Sequence, residues 1–164
     1  MHKLLCFSKQ KFENPPAADM RRVIVFDVFE PEVKFAWVKI KATHDGDRIE
    51  YNQLVPAVSS VSLWFHGRPS FVPYRYNQVR GRALDPAIVI FRDLGVACTN
   101  TAVNGWLGDT SVAPPWNGPL VAFAMDIEKK RVLNTSIRDI RDVADAVAEM
   151  RSLQGAREMY AADF

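Results

Sequence analysis

Residues 34–42, KFAWVKIKA, alternate between two faces, and an Asp-Gly pair follows them at residues 45–46. Small or β-branched apolar residues hold one of the two faces, namely Ala36, Val38, Ile40 and Ala42. A period of two residues is typical of a strand with one buried face, and Asp-Gly is a strong signal for a tight hairpin turn. We therefore expect residues 34–42 to form a strand and residues 49–55, IEYNQLV, to return antiparallel to it.

Other apolar segments predict further strands of the same sheet. The segment Val23–Phe29, VIVFDVF, is almost wholly β-branched or aromatic, as expected for a strand covered on nearly all of both faces. Three shorter segments have the same character and are also expected to be strands: residues 61–65, 87–91 and 119–125.

One segment near the C-terminus has the spacing of an amphipathic helix. Its apolar residues recur at three- and four-residue steps, and they are Ile137, Ile140, Val143, Ala144, Val147 and Met150. Ser136 followed by Asp139 fits an N-terminal cap, so the pattern predicts a helix packed on the sheet through a single buried stripe. The arginines and acids of the opposite face, Asp142 and Asp145 among them, are interpreted as a solvated face rather than a binding site.

These elements predict an α+β fold, in which a twisted antiparallel or mixed sheet of five to six strands carries one long C-terminal helix packed on it. A chain of 164 residues is long enough to bury a core of its own. We expect an extended lead-in at residues 1–21, because Pro15 and Pro16 favour exposed, extended backbone. A single domain over residues 22–154 and a C-terminal tail over residues 155–164 complete the predicted organisation.

The overall charge and the cysteines limit the binding partners and the cellular compartments that we expect. A formal charge of +2 is too small to predict binding to nucleic acid or to an anionic membrane. The two cysteines, Cys6 and Cys98, do not form a disulfide framework, and the N-terminus lacks the apolar stretch of a signal peptide. No segment approaches the ~18 apolar residues of a membrane span. We expect a cytoplasmic or nuclear protein without a membrane partner.

Three separated segments resemble one known group of proteins. HKLLC at the N-terminus contains His2 and Cys6, and RRVIVFDVFEPEVKFAWVKI contains an aromatic-x-Trp-Val segment at Phe35, Trp37 and Val38. PPWNGPLVAFAMD, followed by the predicted helix, carries a Trp-x-Gly-Pro strand. Together they resemble the domain that follows the MYND-type zinc finger in a group of fungal proteins, in which the finger closes with a histidine and a cysteine at this spacing.

This resemblance implies a non-enzymatic protein-interaction or regulatory module, whose protein partner the sequence does not identify. A complete finger holds its zinc through further cysteines, whereas this chain has only the last His-x3-Cys of the pattern. Zinc in a structural site takes four ligands, so two ligands are too few. We expect His2 and Cys6 to be a remnant of the finger within residues 1–21, with no metal site and no cofactor.

An alternative function is a small enzyme or carrier that binds an apolar metabolite in a tryptophan-lined pocket. A curved sheet with a helix across it could enclose such a pocket. Aromatic residues and one histidine are the candidate ligand-binding residues: Trp37, Trp64, His66, Tyr74, Tyr76, Trp106 and Trp116. The sequence contains no complete catalytic motif, so it identifies no catalytic residue.

A second alternative is nucleic-acid binding through the segment from Arg68 to Arg82. No aspartate or glutamate occurs from Tyr51 to Leu84, and aromatic residues interleave with four arginines, namely Arg68, Arg75, Arg80 and Arg82. Arginines can clamp phosphates while aromatic rings stack on bases. The competing interpretation is that these arginines pair with Asp85, Asp93 or the carboxylates of the helix. The nearly balanced charge favours it, so nucleic acid is not the expected partner.

Overall fold

A computed structural model of the chain describes residues 17–26, 33–55, 69–93, 99–107 and 116–162. Seven strands lie in these ranges: β1 (Met20–Phe26), β2 (Val33–Thr43), β3 (Gly46–Val55), β4 (Pro69–Asn77), β5 (Arg82–Asp93), β6 (Leu120–Asp126) and β7 (Arg131–Leu133). Two helices accompany them: α1 (Thr101–Leu107) and α2 (Asp139–Ala162).

The strands form one curled antiparallel sheet in the order β3-β2-β1-β6-β5-β4. β7 is not part of this strand order, but it pairs with β6. The N-terminal part of β6 pairs with β1, as in Ala122 opposite Ile24, and its C-terminal part pairs with β7, as in Met125 opposite Val132. β1 and β7 therefore share one side of β6, and β5 occupies the other.

The fold is α+β, with an antiparallel sheet and a C-terminal helix, as the sequence predicts. The predicted hairpin between β2 and β3 is confirmed, with Thr43 opposite Gly46 and Ile40 opposite Ile49. Two details of the prediction are wrong. Within the described residues the sheet has seven strands rather than five to six, and a second, shorter helix, α1, is present besides α2. The strand predicted at residues 61–65 lies outside the described residues.

The two strands that the sequence analysis missed, β4 and β7, have identifiable reasons. β4 contains Pro69 and Pro73, which resemble loop signals because proline cannot donate to a strand ladder. β4 ends the sheet order, and an edge strand tolerates proline at positions whose N–H would face away from its neighbour. β7 has only three residues, too few for any alternation to be recognised.

The start of α2 agrees with the predicted cap but not with the full predicted stripe. The backbone N–H of Ser136 donates to Asp139 Oδ2, and the N–H of Arg138 donates to Ser136 Oγ at 3.2 Å. These bonds form the cap at Ser136, and the regular helix runs from Asp139. Ile137, placed in the buried stripe by its spacing, lies between the cap and the regular helix and is 53% exposed. The helix continues through Gly155 to Ala162, beyond the end of the predicted domain.

The sheet buries apolar residues on both of its faces. One cluster lies between the sheet and the helices, with Ile24, Ile88, Ile90, Val103, Trp116, Val143 and Val147 among its members. The other consists of strand residues that alternate with these, including Val23, Val25, Val38, Val89, Phe91, Val121 and Phe123. The nearly unbroken apolar sequence of β1 reflects this two-sided burial, since Val23 to Phe26 are all fully buried.

The curl of the sheet brings the β2–β3 turn onto the β6–β7 turn. The backbone N–H of Asp47 donates to the carbonyl of Lys130 at 2.8 Å, and Asp47 Oδ2 accepts from the N–H of Val132 at 3.0 Å. Gly46 has a φ of 124°, and a Cβ at this position would lie 2.5 Å from Lys130 Cβ and 2.8 Å from Lys130 O. Only glycine fits this contact.

No helix within the described residues combines the length and apolar character that crossing a membrane requires.

Candidate functional site

The hairpin between β4 and β5 ends in a tight turn over residues 78–81. Asn77 pairs with Arg82 across the last rung of the hairpin, and Asn77 Oδ1 accepts a hydrogen bond from the backbone N–H of Arg80 at 3.1 Å. The Asn77 side chain thus closes the turn by bonding to the backbone three residues further along the chain. Gly81 supplies a φ of 61°, which β-carbon-bearing residues rarely adopt.

Side-chain contacts attach this turn to the first part of α2. Asn77 is 4% exposed, and its Nδ2 donates to Asp142 Oδ1 at 2.8 Å and to Asp145 Oδ2 at 2.9 Å. With its oxygen already bonded to the Arg80 N–H, each end of the Asn77 amide is engaged.

Two arginines at the end of the hairpin, Arg80 in the turn and Arg82 at the start of β5, also bind α2. Arg82 Nη2 lies 2.6 Å from Asp142 Oδ2, and Arg80 Nε lies 2.9 Å from Asp145 Oδ2. Hydrogen bonds between charged groups are shorter and stronger than those between neutral groups. The hairpin is thereby fixed to the helix by hydrogen bonds that all end on the carboxylates of Asp142 and Asp145.

The acidic groups of this contact are more buried than the basic groups. The side chains of Asp142 and Asp145 are 8% and 21% exposed, whereas those of Arg82 and Arg80 are 54% and 39% exposed. The carboxylates therefore lie beneath the guanidinium groups, and the arginines face solvent.

Apolar side chains are exposed beside these arginines. Tyr76 is 46% exposed and Val79 is 74% exposed, and Arg75 at the end of β4 is also exposed. We use the name hairpin surface for these five exposed residues, Arg75, Tyr76, Val79, Arg80 and Arg82. An arginine presents several N–H donors, and Arg80 and Arg82 each direct one of them to a carboxylate. The hairpin surface can therefore offer further donors, together with apolar area, to a molecule that docks on it.

The predicted nucleic-acid-binding residues fall largely on this surface. Arg80 and Arg82 pair with carboxylates of α2, which is the competing interpretation of the arginine-rich segment. Arg75 is exposed, and Arg68 lies outside the described residues.

The predicted ligand-binding residues divide among three parts of the fold. Tyr74 and Trp106 pack on the core cluster that contains Trp116, beneath the helices. Trp37 lies on β2, opposite Arg22 of β1, and Tyr76 belongs to the hairpin surface. Trp64 and His66 lie outside the described residues. The structure thus brings three of the predicted residues to one cluster.

A buried asparagine fixes the helix that carries Trp106, one of the two tryptophans of that cluster. Asn100 Oδ1 accepts from the N–H of Val103 at 2.9 Å and so caps α1. Its Nδ2 donates to the carbonyls of Phe26 and Gly118, at 2.9 Å and 2.8 Å. The ring of Trp106, on α1, lies 5.1 Å from that of Phe26. The cap therefore fixes α1 against the end of the sheet where Trp116 is buried.

Polar groups lie at the margin of the aromatic cluster. The Arg92 guanidinium lies 5.6 Å from the ring centre of Trp116, within the range of a cation–π contact. Burial raises the pKa of Tyr74 to about 12; the Glu149 carboxylate adds to the increase, and Arg92 opposes it. The Tyr74 hydroxyl therefore keeps its proton at neutral pH. Within the described part of the chain, the buried Trp116 Nε1 has no hydrogen-bond acceptor.

Metal-binding residues do not converge in the described ranges, where no group of three His, Cys, Asp or Glu side chains could hold an ion. His44 is 90% exposed beside Asp45 in the β2–β3 turn. His2, Cys6, His66 and Cys98 lie outside the described residues.

The sequence analysis missed residues that build the hairpin surface. Asp142 was assigned to a solvated helix face, and this is wrong, because it is 6% exposed and bonded to Asn77 and Arg82. A weak signal was present: Asp142 directly precedes the stripe residue Val143, at the margin of the apolar face. Asn77 and Val79 carried no signal, since their roles depend on the turn that the hairpin forms.

Comparisons with known proteins yielded no relative. A scan against protein-family models, a search of curated proteins and a search of solved structures each gave no match to this chain. The resemblance to the fungal MYND-type group therefore stays a prediction from the sequence, and the function is inferred from the geometry described above.

Proposed function

We propose that this chain is a non-enzymatic protein-interaction module that docks its partner on the hairpin surface. The observation that carries the proposal is the attachment of the turn to α2. Asn77 binds Asp142 and Asp145, while Val79 at the turn remains 74% exposed. The turn is held in place, yet its central apolar side chain contributes little to the core.

The energetic cost of this attachment supports a role beyond folding. Placing a carboxylate such as Asp142 at 6% exposure requires desolvation that its partners must offset. Apolar residues would hold a hairpin on a helix without that cost. The charged contact differs in that it keeps guanidinium groups at the surface and the turn rigid. A rigid surface loses less conformational entropy when a partner binds.

The sequence resemblance supports the same class of function, because the fungal domain that follows the MYND-type finger is expected to act through protein contacts. A cytoplasmic or nuclear location belongs to the same proposal. Tyrosine and arginine, which make up most of the hairpin surface, are also the residue types that contribute most often to interface energy.

The proposal is tested by selecting peptides on the whole chain. A randomised peptide library displayed on phage is selected against the wild-type protein, and the enriched peptides are synthesised and measured by fluorescence anisotropy. The double variant Arg75→Ser/Val79→Ser removes a charge and an apolar group from exposed positions. We expect it to bind the enriched peptides at least ~10-fold more weakly, a change of about 1.4 kcal/mol.

The matched control is Leu133→Ser, which removes an apolar side chain of 37% exposure from β7, on the other side of β6 from the hairpin. This variant should keep the wild-type affinity. Enriched peptides that bind the double variant as tightly as the wild type would overturn the proposal, and so would a selection that enriches nothing above the bare support.

A second candidate function is the binding of a small apolar ligand that carries a hydrogen-bond acceptor. The observation that favours it is the Trp116 indole N–H, which is buried and lacks an acceptor among the described residues. Such a donor loses its bond to water without replacement, at a cost of about 1–3 kcal/mol. A carbonyl or ester oxygen from a ligand would recover that bond.

This second function is tested through the indole resonance itself. The N–H signal of Trp116 is assigned by its loss in Trp116→Phe, and the wild-type chain is titrated with a set of small esters, amides and ketones. Binding predicts that a compound shifts the Trp116 signal more than those of Trp37 and Trp106. If the whole set leaves the Trp116 signal in place, this candidate is wrong.

A further inference from the structure

We infer that the segment docking on the hairpin surface is an acidic peptide stretch with a central aliphatic side chain. The inference rests on the proposed function and specifies its partner. It follows from three properties of the hairpin surface, namely the sign of its exposed charge, the position of Val79 and the limited number of its cations.

The exposed charge of the hairpin surface is positive, because the aspartates that pair with two of its arginines are less exposed than the arginines. Asp142 and Asp145 lie beneath Arg82 and Arg80, with side-chain exposures of 8% and 21% against 54% and 39%. A docking molecule therefore meets guanidinium groups first. Arg75, Arg138 and Arg141 are exposed as well, and the last two lie at the start of the same helix. A partner of negative charge gains attraction here, while a basic partner is repelled.

The unused donors of the arginines favour carboxylates as the partner groups. Arg80 donates through Nε and Arg82 through one Nη, and the remaining N–H groups of these exposed side chains can reach a second acceptor. A carboxylate matches the planar, forked donors of arginine in geometry as well as in charge. The buried Asp142 and the partly buried Asp145 keep each guanidinium oriented, so little rotamer entropy is lost when the second carboxylate binds.

Val79 adds a requirement for an apolar group in the same segment. Val79 is 74% exposed and lies in the turn, between the half-exposed Tyr76 and Arg80 in the sequence. An aliphatic side chain at the centre of the peptide would bury Val79 and part of Tyr76. The acids would lie to either side of it, over the arginines.

Nucleic acid fits these properties less well than an acidic peptide. Specific binding to a phosphate backbone at physiological salt commonly uses about 6–10 phosphate contacts. Two of the three arginines of the hairpin surface already bind carboxylates, so few cations remain to neutralise a run of phosphates. Val79 would have no apolar partner on a phosphate backbone.

The inference is tested with two matched peptide libraries on the wild-type chain. Both fix one leucine at the centre; the first allows only Asp or Glu at the flanking positions, and the second allows only Asn or Gln. We expect the acidic library to yield binders at least ~10-fold tighter than the amide library. Their affinity should fall with added salt and fall again in Arg75→Gln and in Val79→Ser, but not in Leu133→Ser.

The outcomes separate this inference from the function on which it rests. Equal affinities for acidic and amide peptides would overturn the acidic partner and leave docking on the hairpin surface standing. The absence of any binder in these libraries and in the randomised library would overturn both. A single-stranded RNA and a duplex DNA are measured in parallel. If either binds more tightly than the acidic peptides and responds to Arg75→Gln, the partner is nucleic acid and the inference is wrong.

Discussion

Two hairpin turns of this fold dock on other elements, and they do so by different means. The β2–β3 turn meets the β6–β7 turn mainly through backbone groups, with Gly46 close against Lys130 and the N–H of Asp47 bonded to the carbonyl of Lys130. One side-chain group adds to this contact, since Asp47 Oδ2 accepts from the N–H of Val132. The β4–β5 turn meets α2 through side chains, with Asn77, Arg80 and Arg82 bonded to Asp142 and Asp145.

The first contact closes the sheet, whereas the second leaves side chains exposed that a partner can bind. At Gly46 the two backbones lie too close for a side chain, so the contact can only close the sheet. At Asn77 the contact is buried, while Arg82 and Val79 face solvent. The contact that holds the turn therefore leaves these two side chains exposed. The comparison predicts that the first contact is sensitive to volume and the second to charge.

The largest expected effect is the loss of the backbone closure in Gly46→Ala. The new Cβ would lie 2.5 Å from Lys130 Cβ and 2.8 Å from its carbonyl oxygen, at a φ of 124°. Because backbone atoms cannot move aside cheaply, we expect the free energy of unfolding to fall by about 2–4 kcal/mol. Urea denaturation followed by circular dichroism measures the change.

Gly81→Ala is the matched control, since Gly81 also has a positive φ, 61°, but its nearest neighbouring atom would lie 3.9 Å from a new Cβ. Only the conformational term remains there, about 1–2 kcal/mol. Equal losses in both variants would show that crowding against Lys130 contributes nothing.

The next-largest effect tests the ion pair between Asp142 and Arg82, in which Asp142 is the more buried partner. Asp142→Asn removes the buried charge that binds both Asn77 and Arg82, and it faces the guanidinium with an amide. We expect a loss of about 1–3 kcal/mol in the free energy of unfolding. Arg82→Gln leaves Asp142 without its charged partner, but it also removes a side chain that is 54% exposed, so water can solvate the carboxylate in its place and we expect a smaller loss, below ~1 kcal/mol. If the two losses are equal, the layered arrangement of these charges is wrong.

Sequence patterns predicted the parts of the fold that depend on neighbouring residues in the chain. The alternation in β2, the Asp-Gly turn and the cap at Ser136 are local features, and each is confirmed. β4 escaped prediction because its prolines are tolerated only at a sheet edge, and an edge is a property of the whole sheet.

The candidate site was predicted only in part, for a related reason. The arginines of the hairpin surface stood out by composition, and their pairing with helix carboxylates was one of the interpretations considered. The burial of Asp142 was not predicted, because it depends on Asn77, which lies 65 positions away in sequence. The predicted apolar stripe of α2 extends one residue too far: Ile137 has the spacing of the stripe, but it directly follows the capping residue Ser136 and is 53% exposed.

A smaller effect concerns the base of the β4–β5 hairpin, where Tyr74 lies on the core beneath α2. Burial and Glu149 raise the pKa of Tyr74 to about 12, above the value of about 10 in an unfolded chain. The folded state therefore holds the phenolic proton more tightly. Its contribution to stability is complete below pH ~10 and is lost as the pH rises through about 12.

Ultraviolet titration of tyrosinate measures this prediction, with the melting temperature followed over the same pH range. One tyrosine should ionise late in the wild type, and Tyr74→Phe should remove that late step and flatten the alkaline fall in melting temperature. A late step that persists in Tyr74→Phe would assign the raised pKa to another tyrosine and contradict the packing of Tyr74 under α2.

The smallest expected effect is that of Val79→Ser on stability, and it is the sharpest test of the comparison. Val79 is 74% exposed, so its removal should change the free energy of unfolding by no more than ~0.5 kcal/mol. Urea denaturation measures this value, alongside Val38→Ser as a control, since Val38 is 1% exposed in the strand cluster. Val38→Ser should be strongly destabilising, because it places a hydroxyl among apolar side chains. A loss above ~1 kcal/mol in Val79→Ser would mean that the valine packs within the folded chain. The two turns would then both serve folding, and the hairpin surface would lose its apolar centre as a place for a partner to dock.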